Sequence, residues 1–282
     1  MKGLRWLVLL AVVTMAGCSS VKMGYYFADW AIEWELEDYV DLDREQKKQL
    51  DKEIDALLVW HQREEMPKYR DQLSKLFDEL SSDSMTPEQF QWHLDQLAVY
   101  WKTILVQTTP ALNRLLPTLS DDQVDQLITN LKERQQKGIK EREKLTPEER
   151  LEKSQKGWRK SLKKNLGSVQ TAQMERITLY LKQINDTYRT RKIYQAAWTD
   201  EFAQVLSRRG EGETFELELT TLLENPESLR SEDLQAELDE NRVMLLDLLV
   251  DIHKDLSDKQ RKRMLRKLGS MRDDVADLAA KA

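Results

Sequence analysis

The sequence predicts an all-α protein: a multi-helix bundle of antiparallel helical hairpins with about ten helices. Three observations predict it. A short helix-start device recurs along the chain. Between its copies, apolar residues return every three or four positions, as on one face of a helix. No segment sustains a strand pattern; Thr214-Phe215-Glu216-Leu217-Glu218-Leu219 alternates, but it is short, lies between helices and reads as helix. With 9 Gly and 6 Pro in 282 residues, the chain is poor in tight turns, and 40% hydrophobic residues suffice for a core.

The first residues read as an address rather than as part of the fold. Lys2 and Arg5 precede the apolar run from Trp6 to Val13, and small residues follow, the order of a secretory signal. The run is well short of the roughly 20 residues needed to span a bilayer. Met15-Ala16-Gly17-Cys18 resembles the lipobox of bacterial lipoproteins, with Met15 in place of the usual Leu. The resemblance implies removal of residues 1–17 and lipidation of Cys18, the only Cys in the chain. Ser19 follows the Cys where lipoproteins kept in the inner membrane often carry Asp. The expected location is therefore the periplasmic face of the outer membrane, with Cys18 as the anchor. Loss of Lys2 and Arg5 moves the formal charge from -6 to -8, which disfavours nucleic acid as a partner.

Residues 18–24 then read as a lipidated tether. An aromatic-acidic block, Tyr25 to Leu42, follows. After it comes the recurring device: an apolar residue, then Ser, Thr or Asp, then Gln or Glu three positions on. It occurs at Asp43/Gln46, Thr86/Gln89, Ser120/Gln123, Thr146/Glu149 and Ser257/Gln260, with a weaker copy at Gln170/Gln173. The first side chain caps a free backbone N–H, and the second returns a bond to the cap residue. Pro87 and Pro147 stand at the first helical position, where no N–H is missed.

Helical stripes follow these starts. They are Val124, Leu127, Ile128 and Leu131; then Met174, Ile177, Leu181, Ile184 and Tyr188; then Trp198, Phe202 and Val205. Leu234, Leu238, Leu245, Leu249 and Ile252 make another, and Leu265, Leu268, Val275 and Leu278 the last. Breaks are expected at Pro67, Ser81–Ser84, Thr108–Pro110, Pro117, Gly167, Arg209–Gly212 and Asn225–Pro226. Lys132 to Lys164 carries 13 Lys/Arg against 6 Asp/Glu. It reads as a solvated helix face, a projecting helical pair or a hinge. The resulting division is an N-terminal half 25–131, a basic segment 132–166 and a C-terminal half 167–282.

Chemistry-bearing patterns are sparse. Three His and one Cys leave little for a metal centre, and no metal or other cofactor is expected. His61 and Glu65 are four apart, beside Glu64; His93 has Asp95 nearby, and His253 lies between Asp251 and Asp255. Each reads first as structural. There is no Gly-x-Ser-x-Gly elbow, no phosphate loop and no His-Glu-x-x-His. Asp29, Glu33 and Glu37 share a helical face and repel, with Lys68 or Arg70 as available counter-charges. Tyr25, Tyr26, Trp30, Trp34 and Tyr39 have three readings: core packing at one end of the bundle, membrane-interface packing, or a floor for a client or glycan.

The block Tyr25-Tyr26-Phe27-Ala28-Asp29-Trp30, Glu33-Trp34, Asp38-Tyr39-Val40-Asp41-Leu42, with Trp60-His61 and Met66-Pro67-Lys68-Tyr69, is similar to a proteobacterial lipoprotein family, domain of unknown function 6279. That resemblance implies an all-helical envelope lipoprotein and brings no activity. The cap device also resembles the Leu-Thr-x-x-Gln motif of small Spy-type periplasmic chaperones. The expected function is a non-enzymatic interaction protein, a chaperone, adaptor or assembly factor with an envelope protein partner. The alternatives are an envelope-polymer hydrolase with carboxylates in an aromatic cleft, and a purely structural lipoprotein.

Overall fold

The computed structural model describes residues 20–82 and 84–281. The expected signal peptide, Met15, Ala16, Gly17 and Cys18 lie outside the described residues. Within them the protein is all-α: α1 Ser20–Tyr26, α2 Ala28–Glu37, α3 Arg44–Trp60, α4 Met66–Leu80, α5 Pro87–Leu115, α6 Asp121–Glu143, α7 Pro147–Leu166, α8 Thr171–Gln183, α9 Tyr188–Ser207, α10 Glu213–Glu224, α11 Glu232–Lys254 and α12 Asp258–Ala279. The alternating segment at Thr214–Leu219 lies in α10, as expected.

Three small cores hold these helices. The first gathers Phe202, Val205 and Leu206 of α9, Phe215, Leu219 and Leu222 of α10, Val124 of α6, and Leu116 and Leu119. The second joins Val21 of α1, Met66 of α4, and Val275 and Leu278 of α12. The third joins Met174 and Ile177 of α8 to Leu248 and Ile252 of α11, with Trp158 and Leu162 of α7 against them. α12 packs on α1, α4 and α7, so the last helix closes over the first, and the two expected halves interlock.

Several expected boundaries move. The segment read as a tether is helical from Ser20 and packs Val21 into the second core. Pro67 breaks nothing: a π turn, His61–Glu65, carries α3 into α4 and leaves Pro67 in the first turn of α4. Pro110 lies inside α5, where Thr108 and Thr109 hydroxyls donate to the carbonyls of Ile104 and Leu105. The boundary at 131/132 falls within α6. In the basic segment α6 lies on α9, and α7 lies on α8 and α12. The stripe running through Ile184 to Tyr188 is broken, because Ile184 is extended and the Asn185 N–H donates to Asn241 Oδ1 at 2.7 Å.

The cap device forms helix starts at every strong copy, each with a reciprocal capping box. Two pairs of copies do more. Gln46 Nε2 donates to Gln123 Oε1 at 3.0 Å, and Gln123 Nε2 returns to Gln46 Oε1 at 2.7 Å. Each amide also reaches across to a carbonyl two residues before the other cap, Thr118 and Asp41. The weak copy makes a related clasp: Gln173 and Gln260 exchange bonds at 3.3 and 3.0 Å, Gln260 donates to the Ser168 carbonyl, and Gln170 in place of Gln173 donates to the Asp255 carbonyl. Gln173 and Gln260 are fully buried. Glu149 accepts only, and it caps without clasping.

Gln260→Glu removes the crossing donor and sets an acceptor against Gln173 Oε1. The expected loss is about 2–3 kcal/mol at neutral pH in urea denaturation, against less than about 0.5 kcal/mol for Gln89→Glu, which keeps its cap and has no clasp to lose.

Candidate functional site

The aromatic-acidic block begins where α1 is fastened down. Val21 sits between Met66, Val275 and Leu278. Lys22 pairs with Asp274 and Asp277 of α12. The Tyr25 hydroxyl donates to the Leu58 carbonyl at 2.8 Å, and its ring stacks on His61. Lys281 lies over the exposed Tyr26 ring and donates to its hydroxyl. After a turn at Phe27, α2 runs beside α3, with Ala28, Ile32 and Leu36 toward the protein and no fully buried residue. At its end Arg134 of α6 pairs with Glu35 and Asp38 and covers the Tyr39 ring at 4.2 Å.

The five candidate aromatics therefore separate. Tyr25 and Tyr39 are anchors within the protein. Tyr26 is held by Lys281. Trp30 and Trp34 stand outward, 60% and 54% exposed, with parallel rings 6.0 Å apart between centroids. The core-packing reading fails for Trp30, Trp34 and Phe27, because α2 turns its small and aliphatic residues inward and its indoles out.

The carboxylates of α2 also separate. Glu37 pairs with Lys47, not with Lys68 or Arg70, which are taken by Glu65 and Asp71. Among the described residues no cation pairs with Asp29 or Glu33. Glu33 instead meets Asp51 of α3; burial, then the charges of Asp51 and Asp29, push its pKa up. Asp51 had no signal in the sequence, since only the α2–α3 register brings it to Glu33.

The three His have separate structural settings. His61 lies on the π turn, between the Tyr25 and Tyr69 rings. Burial pushes its pKa down to about 4. His93 meets Glu79 at 2.9 Å, and His253 is buried against the Leu80 carbonyl. The expected neighbours Asp95, Asp251 and Asp255 serve Arg242 and Arg176 instead. Among the described residues no three His, Cys, Asp or Glu converge as metal ligands.

Open grooves also lie between helices. One, of about 600 Å³, runs between α7 and α8 past Gln155, Met174 and Leu179. Another, of about 460 Å³, runs between α4 and α5 and is lined by Trp92, Tyr100, Asp71 and Glu65. Glu65 is fully covered, with Oε1 on Lys68 at 2.6 Å, and Asp71 pairs with Arg70.

The family model of DUF6279, a family of unknown function, matches residues 38–235. The chain belongs to the DUF6279 family. The match takes in Trp60-His61 and Met66–Tyr69 and begins after Trp34, so the exposed indoles stand outside the matched span. No curated protein and no solved structure matches the chain significantly, and the comparisons add nothing to the Spy-type resemblance.

Two measurements follow. Trp34→Ala is expected to change stability by less than about 0.5 kcal/mol, and Phe215→Ala in the first core to cost about 3–5 kcal/mol, both read from urea midpoints. The pH dependence follows from His61. The unfolded chain binds a proton at the ordinary value of 6.5 and the fold resists it until about 4. Stability from this group is therefore complete above pH 6.5 and is lost as pH falls toward 4. His61→Phe keeps the ring stack and is expected to abolish roughly 3 kcal/mol of that acid loss, measured by denaturation across the interval.

Proposed function

We propose that this protein is a lipid-anchored envelope protein, held through Cys18 at the periplasmic face of the outer membrane, that acts by binding a protein partner rather than by catalysis. The observation that carries the reading is the exposed Trp30–Trp34 plate on α2. Large apolar side chains gathered on a surface otherwise rich in charge mark interaction sites, and Trp is the residue most enriched where binding energy concentrates. Met23, Tyr26 and Phe27, all more than half exposed, extend the apolar surface toward the N-terminus. The anchor rests on the lipobox resemblance of Met15-Ala16-Gly17-Cys18. Among the described residues no helix is long and apolar enough to cross a membrane.

The apolar surface that adjoins the plate begins on α1 at Met23, a few residues after Cys18, and α1 is fixed to α12. A rigid mount of this kind holds a binding face in one orientation near the anchor, which suits an adaptor or assembly factor. A chaperone for many clients would use the same face with less selectivity.

The test is photo-crosslinking in living cells. A photoreactive residue replaces Trp34 in the lipidated protein, with a second at exposed Leu217 on α10 as a distant control. The expected result is one or a few defined envelope-protein adducts at position 34 and none at 217. Absence of protein adducts at 34 rejects the reading. Cys18→Ser is expected to remove lipid labelling and release the protein from the membrane fraction; retention of both sinks the anchor.

A further inference from the structure

We propose that the outer face of α2 recognises a basic amphipathic segment of the partner, one that lays an apolar side chain and an adjacent Lys or Arg across the Trp30–Trp34 plate and the Asp29–Glu33–Asp51 edge. The inference rests on the interaction reading above and adds the chemistry of the partner.

The geometry carries it. Trp30 and Trp34 are four residues apart and share a face, and their rings lie within 13° of parallel. Two stacked indoles make a flat apolar surface with electron-rich faces, which attracts both aliphatic groups and guanidinium or ammonium ions. Asp29 and Glu33 precede the two indoles by one position each, so the carboxylate row runs alongside the plate. Asp51 joins that row from α3 through Glu33. The plate thus has an acidic edge along one side.

That edge is distinguished by what it lacks among the described residues. The carboxylates at the C-terminal end of α2 are neutralised, Glu35 and Asp38 by Arg134 and Glu37 by Lys47. The acids beside the indoles have no such partner, although Glu33 is partly covered and repelled by its neighbours. A cation arriving with an apolar residue would relieve that repulsion and cover the indoles together. An anionic bilayer would meet the same carboxylates as a repulsive rim. Charge complementarity therefore selects a basic protein segment as the occupant.

The experiment uses the lipidated full chain in nanodiscs of zwitterionic lipid. The probes are two fluorescein-labelled 18-residue amphipathic peptides, one of Leu and Lys, the other of Leu and Glu in the same pattern. The expected result is selective binding of the Lys peptide, read by anisotropy. Binding should weaken roughly tenfold with Trp30→Ala or Trp34→Ala and weaken steeply with added salt. Glu33→Lys with Asp51→Lys should reverse the preference toward the Glu peptide. Urea midpoints of the variants confirm that they fold.

Equal binding of both peptides, or Lys-peptide binding unchanged by the indole and charge variants, overturns the proposal. No Lys-peptide binding, as when the bilayer itself covers the plate, also overturns it. The parent reading is separable: protein adducts at position 34 in cells with failure of the peptide test leave an interaction protein with a different partner chemistry. Failure of both removes both.

Discussion

Two helix N-termini brought together place two sets of unpaired N–H groups, and two partial positive charges, against one another. Among the described residues this protein does so twice. The capping Gln solves both parts of the problem with one neutral group. Its carbonyl oxygen takes the cap residue's N–H, and its amide hydrogens cross to the other helix. The pairing Gln of the other helix does the same, so neither amide is left half-used in the interior. First-turn acids, Glu45, Asp121, Asp122 and Asp258, add negative charge where the dipoles need it. Helices far apart in sequence are thereby joined at their N-termini: α3 to α6, and α8 to α12. The three small cores are joined by helices that pack between them, α12 on α4 and α7 and α5 on α10 and α11, and the clasps fix helix ends within that frame.

The helices themselves were legible because their signals are local. Asp43, Thr86, Ser120, Thr146 and Ser257 cap the helices they were read to cap, and the stripe residues Phe202, Val205, Val275 and Leu278 are core. The clasps were not legible, since a Gln that caps and a Gln that also crosses have the same spelling. Gln170/Gln173 shows the point: the weakest copy by sequence makes a buried clasp, whereas Thr86/Gln89 only caps. Pro67 and Pro110 misled for the opposite reason. Proline reports a missing N–H, but a π turn leaves Pro67 in the first turn of α4, and α5 runs on through Pro110 without ending.

The candidate site was half visible. The aromatic block announced itself by composition, but composition does not say which face of α2 turns inward. The inward side went to Ala28, Ile32 and Leu36, whose spacing is as helical as that of the indoles. Trp30 and Trp34 were left outside because α3 and α6 offer α2 charged partners at its C-terminal end and only a narrow apolar seam along its length. Glu33 meeting Asp51 belongs to the same seam and required the register of two helices to be known.

The contact between α1 and α12 has a consequence for the order of assembly. Translation delivers Val21 and Tyr25 first, and their covering residues, Val275 and Leu278, almost last. Until α12 arrives the opening helix has only part of its site, the Leu58 carbonyl, the His61 ring and Met66, and α4 presents a half-built cluster around Met66 and Tyr69. The final helix is thus a latch rather than an addition: its arrival orders the beginning of the chain and seals that cluster in one event. A contact spanning nearly the whole sequence is slow to form by the entropy of closing so long a loop. A chain cut short before α12 loses Val275 and Leu278 from the second core and Gln260 from its buried clasp with Gln173.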